Sequence, residues 1–196
     1  AIFAAFNRFR VLSAVRKGPF GVEALNQLCQ NALQDQQLID ARQTWYLGRP
    51  VMIVRNDYNL RLFNGDIGIT LPDPDDAERV KVFFLGNDGA LRNFAPARLP
   101  EHETVYAMTV HKSQGSEFDS ILVVTPNEPS PVLSRELLYT ALTRAKQHAV
   151  FYGTPDVFAA AVERRLRRSS GLRDRLWVEP RISGNRSASS PDNPAP

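Results

Sequence analysis

Thr109-Val110-His111-Lys112-Ser113-Gln114-Gly115-Ser116-Glu117-Phe118 sets a Gln-Gly turn between two apolar stretches, and the reading of the chain grows from it. A second run, Leu137-Leu138-Tyr139-Thr140-Ala141-Leu142-Thr143-Arg144-Ala145-Lys146, lies further along. Its apolar spacing predicts a helix from a Ser134 cap through Gln147, with Glu136 in the first turn, where the helix dipole favours an acid. Arg144 would ride on that helix, beside the Gln-Gly turn. A loop rich in backbone N–H groups and an always-charged guanidinium can together hold a polyphosphate across a cleft.

The surroundings read as an α/β fold. Val105–Val110 is expected as a strand running into the loop. Ile121-Leu122-Val123-Val124 reads as a buried parallel strand, and His148–Tyr152 as a last one. Residues 2–9 end a helix, Val11–Val15 forms a short strand, and Gly18-Pro19-Phe20-Gly21 turns the chain. Val22, Leu25, Leu28, Cys29, Ala32 and Leu33 then fall at helical spacing. Between about Gly48 and Pro100 the pattern changes to short strands at Pro50–Val54, Asp66–Leu71, Arg79–Leu85 and Ala90–Phe94. Asn64-Gly65 and Asp88-Gly89 are tight turns, and Pro72–Asp76 is a polar loop. This segment predicts a small inserted barrel. Thr154 caps a final helix that Gly171 would stop, and the Ser/Pro-rich residues 183–196 are expected to be disordered.

Composition narrows the function. The single Cys29 rules out an internal disulfide and reads as a small buried hydrophobe, in keeping with a cytoplasmic, reducing setting. No apolar run approaches the ~20 residues of a membrane span, so no membrane association is expected. Ala1–Phe6 lacks the flanks of a secretory signal. Without an initiator Met, the chain is expected to be part of something longer. From Glu163 onward, eight arginines face four acids. This basic end could meet phosphate backbones, or simply form a solvated helix face at Arg164, Arg165, Arg167 and Arg168.

The candidate residues are chosen for their chemistry. In α/β sheets ligands sit at carboxyl strand ends, so the loop after Val110 is the place to look. Thr109 and His111 should leave the strand on one side. Gly115 lets the backbone approach an anion, and Glu117 could accept from a sugar hydroxyl. Each residue alone also has an ordinary reading: His111 as a structural histidine, Lys112 and Arg144 as surface charges, Glu117 as a solvated cap. The 196 residues contain no G-x-x-x-x-G-K-[ST] loop, no strand ending in paired acids for magnesium, no metal-spaced His/Cys set and no nucleophile elbow. They can complete a nucleotide site but not make one.

Thr109–Phe118 and Leu137–Lys146 resemble motifs V and VI of superfamily 1 DNA helicases. Phe9–Asn26 resembles the motif IV region of the RecD-type helicases, the alpha subunits of exodeoxyribonuclease V. Gly48–Tyr58 and Leu62–Gly68 resemble the entry to that family's SH3-like insertion. The likeness spans about residues 1–168. It implies a RecA-like (P-loop NTPase-type) second motor domain with a parallel sheet at 1–47 and 102–170. An SH3-like barrel would occupy 48–101, and a basic, mostly disordered tail 171–196. By the same resemblance Arg144 would be the arginine finger on the γ-phosphate. Arg16, Gln114, Gly115 and Glu117 would also face the nucleotide, with Glu117 towards its ribose. Thr109, His111 and Lys112 would lie along single-stranded DNA. ATP with Mg²⁺ is the implied cofactor, the Mg²⁺ ligands being expected in an N-terminal motor domain. Implied partners are DNA, that N-terminal domain, and RecB- and RecC-type subunits. The implied activity is 5′-to-3′ unwinding in recombinational double-strand-break repair. A non-catalytic single-strand-binding or assembly module is the competing reading, with a conjugative relaxase-helicase a third.

Overall fold

A computed structural model describes residues 1–86 and 88–166. The expectations for Arg167, Arg168, Gly171 and the 171–196 tail lie outside these residues. In chain order the elements are α1 (Ile2–Phe6), β1 (Phe9–Ser13), α2 (Val22–Asp35), β2 (Pro50–Ile53), β3 (Ile67–Asp73), β4 (Asp76–Leu85), β5 (Leu91–Phe94), β6 (His102–Thr104), β7 (Ala107–Thr109), β8 (Phe118–Val124), α3 (Arg135–Leu142), β9 (Ala145–Tyr152) and α4 (Pro155–Glu163).

Two sheets carry the architecture. One is parallel, in the order β7-β1-β8-β9, and the other is antiparallel, in the order β5-β4-β3-β2-β6. The α/β class and its small inserted β unit are therefore present. The parallel sheet is covered on one face by α2, through Val11, Leu25, Ala107 and Val124. Its other face meets the larger core of Leu12, Met108, Ile121 and Val123 with Leu137, Leu138 and Ala141 of α3 and Val157 of α4.

Strand β2 shows how the sheets are joined. All four of its residues are buried, although successive side chains of a strand point to opposite faces. Val51 and Ile53 enter the core of the inserted antiparallel unit with Leu62, Val82 and Phe84, whereas Met52 packs into the α/β core. Met52 is buried and brings about 1.5–3 kcal/mol of burial to that seam. The inserted unit is thus wedged into the α/β core.

Several boundaries differ from those read in the sequence. The expected strand at 105–110 contracts to Ala107–Thr109, and residues 102–104 form a separate strand in the antiparallel sheet, beyond the 48–101 segment. Val105 is the joint, its N–H donating to Pro50 O at 3.1 Å. The helix expected through Gln147 ends at Leu142. Thr140 and Thr143 hydroxyls turn back on Glu136 O and Thr140 O, and Ala145 already pairs with Phe118. Such threonine back-bonding competes with continuation of the helix. The final helix stops at Glu163, and the polar loop at 72–76 shrinks to the turn between β3 and β4.

Candidate nucleotide and nucleic-acid site

Arg144 lies in the two-residue turn between α3 and β9 rather than on the helix. Its guanidinium is half-buried and points at the Gln-Gly loop. Nη1 donates to Ser116 O at 3.1 Å, Nε to Thr140 O at 3.1 Å, and Nη2 to Thr143 Oγ1 at 3.1 Å. The backbone closes the same contact, since Phe118 N–H donates to Arg144 O at 2.8 Å. All three side-chain acceptors are neutral oxygens. Among the described residues no carboxylate pairs with this arginine. The cation is therefore oriented but not neutralised, the state in which an incoming anion gains most from it.

The loop that faces it is tightly wound. Ser113 N–H donates to Thr109 O, Ser116 N–H to Ser113 O, and Lys112 N–H to Thr109 Oγ1 at 3.2 Å. Buried Ser113 donates its hydroxyl to Val110 O at 2.7 Å. Pinned from inside by Val110 and Ser113, the loop leaves His111, Gln114, Gly115 and Glu117 on the surface. Gly115 has φ +88 and open space where a Cβ would stand. Gly115→Ala is therefore expected to lose ~1–2 kcal/mol through backbone strain alone, read as a lower melting temperature; an unchanged melt would show that the turn relaxes freely.

The position of this cluster corrects one expectation. Phe118 and Ala145 are paired at the amino ends of β8 and β9, so Arg144, Ser116 and Glu117 gather there and not at carboxyl strand ends. A cavity of about 560 Å³ does occupy the carboxyl end, lined by Val15, Lys17, Phe20 and the Pro126–Pro131 loop. None of the expected nucleotide residues lines it.

Arg16 is placed elsewhere. It lies past the carboxyl end of β1, where Gly21 approaches Lys17 so closely that a Cβ there would come within 2.5 Å of the Lys17 carbonyl carbon. Arg16 does not join Arg144. Its Nη2 pairs with Glu103 Oε2 at 2.9 Å, and the other oxygen of that carboxylate takes Lys112 Nζ at 3.0 Å. The expected nucleotide-site Arg16 and the expected DNA-site Lys112 thus share one acid. Glu103 escaped the sequence reading because it falls outside both the expected 48–101 barrel and the expected 105–110 strand.

Thr109 ends β7, an edge strand held by Asn26. The amide Nδ2 of Asn26 donates to Ala107 O at 3.0 Å, and its Oδ1 accepts from Ala107 N–H at 2.9 Å. Arg10 was missed altogether. It is 1% exposed and donates through Nη1 to Val105 O at 2.9 Å. Its guanidinium stacks on Phe6 at 3.7 Å. Burial lowers its pKa to about 10, which still leaves it charged at neutral pH. Only its place between Phe9 and Val11-Leu12 hinted at burial, and strand position alone did not reveal it. No grouping of three His, Cys, Asp or Glu suited to a metal occurs among the described residues.

Comparisons with known proteins bear on the family and the fold. Residues 104–152 match the family described as UvrD-like helicase C-terminal domain, and residues 25–84 the ATP-dependent RecD-like DNA helicase SH3 domain. The fold is also similar to a Pif1 helicase from Bacteroides, with a TM-score of 0.51 at 18% identity, over 81% of this chain and 43% of that one. These features define the C-terminal motor-domain fold of a helicase with an inserted SH3-type unit. Within that class the chain is a RecD-type helicase segment. It is 44% identical over 174 residues to the RecBCD enzyme subunit RecD of Haemophilus influenzae, covering 88% of this chain and 26% of that protein. The Mycolicibacterium smegmatis RecD is 42% identical over 88% of the chain, which spans 30% of it. The ATP-dependent RecD2 DNA helicase of Deinococcus radiodurans is 36% identical over 85% of the chain, which spans 23% of it. The chain therefore spans less than a third of the length of the curated relatives it matches.

Proposed function

We propose that these residues form the C-terminal motor half of an ATP-dependent 5′-to-3′ DNA helicase of the RecBCD type, acting in recombinational double-strand-break repair. The observation that carries this reading is the Arg144 guanidinium, held 3.1 Å from Ser116 O beside Gly115, with no acid partner among the described residues. Arg144 neutralises charge developing on the γ-phosphate, Gln114 and Gly115 line the same wall, and Glu117 faces the ribose. The rest of the site, with the phosphate loop and the acids that hold Mg²⁺, comes from an N-terminal motor domain.

Thr109, His111 and Lys112 contact single-stranded DNA, and Arg16 belongs with them because Glu103 joins it to Lys112. Closing and opening of the cleft between the motor domains would alternate the grip on the backbone. RecB- and RecC-type subunits are the proposed partners and the cytoplasm the proposed location. Among the described residues no helix is long and apolar enough to cross a membrane.

The 196-residue chain by itself is expected to show negligible ATP hydrolysis, since half the site is supplied from elsewhere. A coupled ATPase assay on the purified chain checks this. Robust turnover, after contaminating ATPases are excluded, would overturn the composite-site reading.

A further inference from the structure

Glu103 is the side chain that the proposed mechanism leaves unexplained. It projects from β6 of the antiparallel sheet and lies between two cations of the α/β unit, one oxygen to each: Oε2 to Arg16 Nη2 at 2.9 Å and Oε1 to Lys112 Nζ at 3.0 Å. Two oxygens of one anionic group, each held by a separate cation, is also the arrangement that the two non-bridging oxygens of a phosphodiester would take. The backbone beneath all three groups is fixed. Glu103 pairs with Met52, which is packed in the motor core. Arg16 O accepts from Glu23 N–H at 3.3 Å, and Lys112 N–H is tied to Thr109 Oγ1. The side chains are free to exchange partners. Arg16 is 57% exposed and keeps a second acid, Glu23, at 3.5 Å. Lys112 and Glu103 are more covered, at 27% and 26%, so exchange starts at the Arg16–Glu103 pair, whose exposed arginine holds by only about 0–1 kcal/mol and yields to an entering phosphate.

We propose that Glu103 is a built-in competitor for the nucleic-acid backbone, occupying the Arg16–Lys112 phosphate position until a strand enters. The inference rests on the reading of Lys112 as a DNA contact. With Glu103 in place the pair is pre-aligned yet neutralised, which suppresses non-specific attachment. An entering phosphate releases Glu103 and with it a contact between the inserted unit and the motor domain. The inserted unit therefore senses whether the strand is gripped.

The test uses the full-length enzyme and a fluorescent oligothymidylate, with affinity measured by anisotropy across a salt series. Glu103→Gln keeps the shape and removes the charge. It is expected to tighten binding about 3–10-fold at moderate salt with the log K against log salt slope little changed, because the same phosphate is neutralised in both complexes and only the competitor is lost. Glu103→Asp stays near wild type. Lys112→Ala weakens binding, and in the Glu103→Gln/Lys112→Ala double variant most of the gain disappears. If Glu103→Gln binds no better while Lys112→Ala still weakens binding, the competitor role is overturned and the DNA reading stands. If Lys112→Ala leaves affinity and slope untouched, the DNA reading falls and the competitor role with it.

Discussion

Arg144→Ala in the full-length enzyme is expected to lower DNA-stimulated ATP turnover by about 10³-fold or more, while nucleotide affinity changes little. An arginine that meets the transferring phosphoryl group typically contributes ~10³–10⁵ in rate, because its charge counts most where charge develops in the transition state. The geometry says why this side chain can do so. Its present acceptors are two carbonyls and a hydroxyl, so exchanging Ser116 O for a phosphate oxygen replaces a neutral acceptor by an anion. Arg144→Lys keeps the charge but loses the planar fork that spans Ser116 and Thr143, and should fall between wild type and alanine. Steady-state hydrolysis and equilibrium binding of a fluorescent nucleotide, measured side by side, separate the two effects. Near-normal turnover in Arg144→Ala would remove the finger assignment. A collapse of nucleotide binding together with a lowered melt would instead make Arg144 a brace for the loop.

The second large effect falls on stability. Arg10→Ala is expected to destabilise the fold by about 3 kcal/mol or more. The substitution removes a charge-assisted bond of ~1.5–3 kcal/mol, a desolvated cation–π contact of up to ~2 kcal/mol on Phe6, and the volume of a fully buried side chain. It also strands Val105 O at the joint between the two sheets. Against this stands the burial of a cation with no acid beside it among the described residues. Lowering its pKa from the ordinary guanidinium value to about 10 by burial corresponds to a penalty of roughly 3 kcal/mol on the charged form. That penalty applies fully below pH 10, where folded and unfolded chains are both protonated. It shrinks as pH rises from about 10 towards the ordinary guanidinium value, because there the unfolded chain binds more protons, so this group's contribution to stability rises with pH. Arg10→Met fills the slot without the charge and should recover at least half of the loss. At ~2–4 °C per kcal/mol for a chain of this size, alanine should melt roughly 6–12 °C lower. An alanine variant that melts with wild type would show that the buried guanidinium contributes no net stability.

How far the sequence could be read depended on how local each signal was. Ser134 and Thr154 cap helices as their positions suggested, because a hydroxyl accepting from the N–H three residues on needs only its own neighbours: Leu137 N–H for Ser134, Val157 N–H for Thr154. The apolar run at 121–124 lies in a strand flanked by β1 and β9, as a fully hydrophobic stretch in an α/β chain should. Element ends were less legible. Nothing in Thr143-Arg144-Ala145-Lys146 announces that a helix gives way to a strand, since the change is enforced by pairing with Phe118 across the sheet. Likewise His102–Thr104 carries no strand signal of its own, and only the register of β2 draws it into the antiparallel sheet.

For the candidate site the division is similar. Residue order alone determined that Gly115 sits in a turn and that an arginine comes after a helical apolar face, and the four ordered blocks determined the kinship. Only the tertiary structure decided which charges meet. Arg16 and Arg144 look alike as residues in a string, but one lies past the carboxyl end of β1 and the other precedes the amino end of β9, so they serve different partners. The physical reason is range. Capping, turn and amphipathic signals act within a few residues and are written in adjacent side chains. The Arg16–Glu103–Lys112 bridge and the Arg10–Val105 bond join positions as many as 95 residues apart, and they exist only once two separately patterned sheets are packed together.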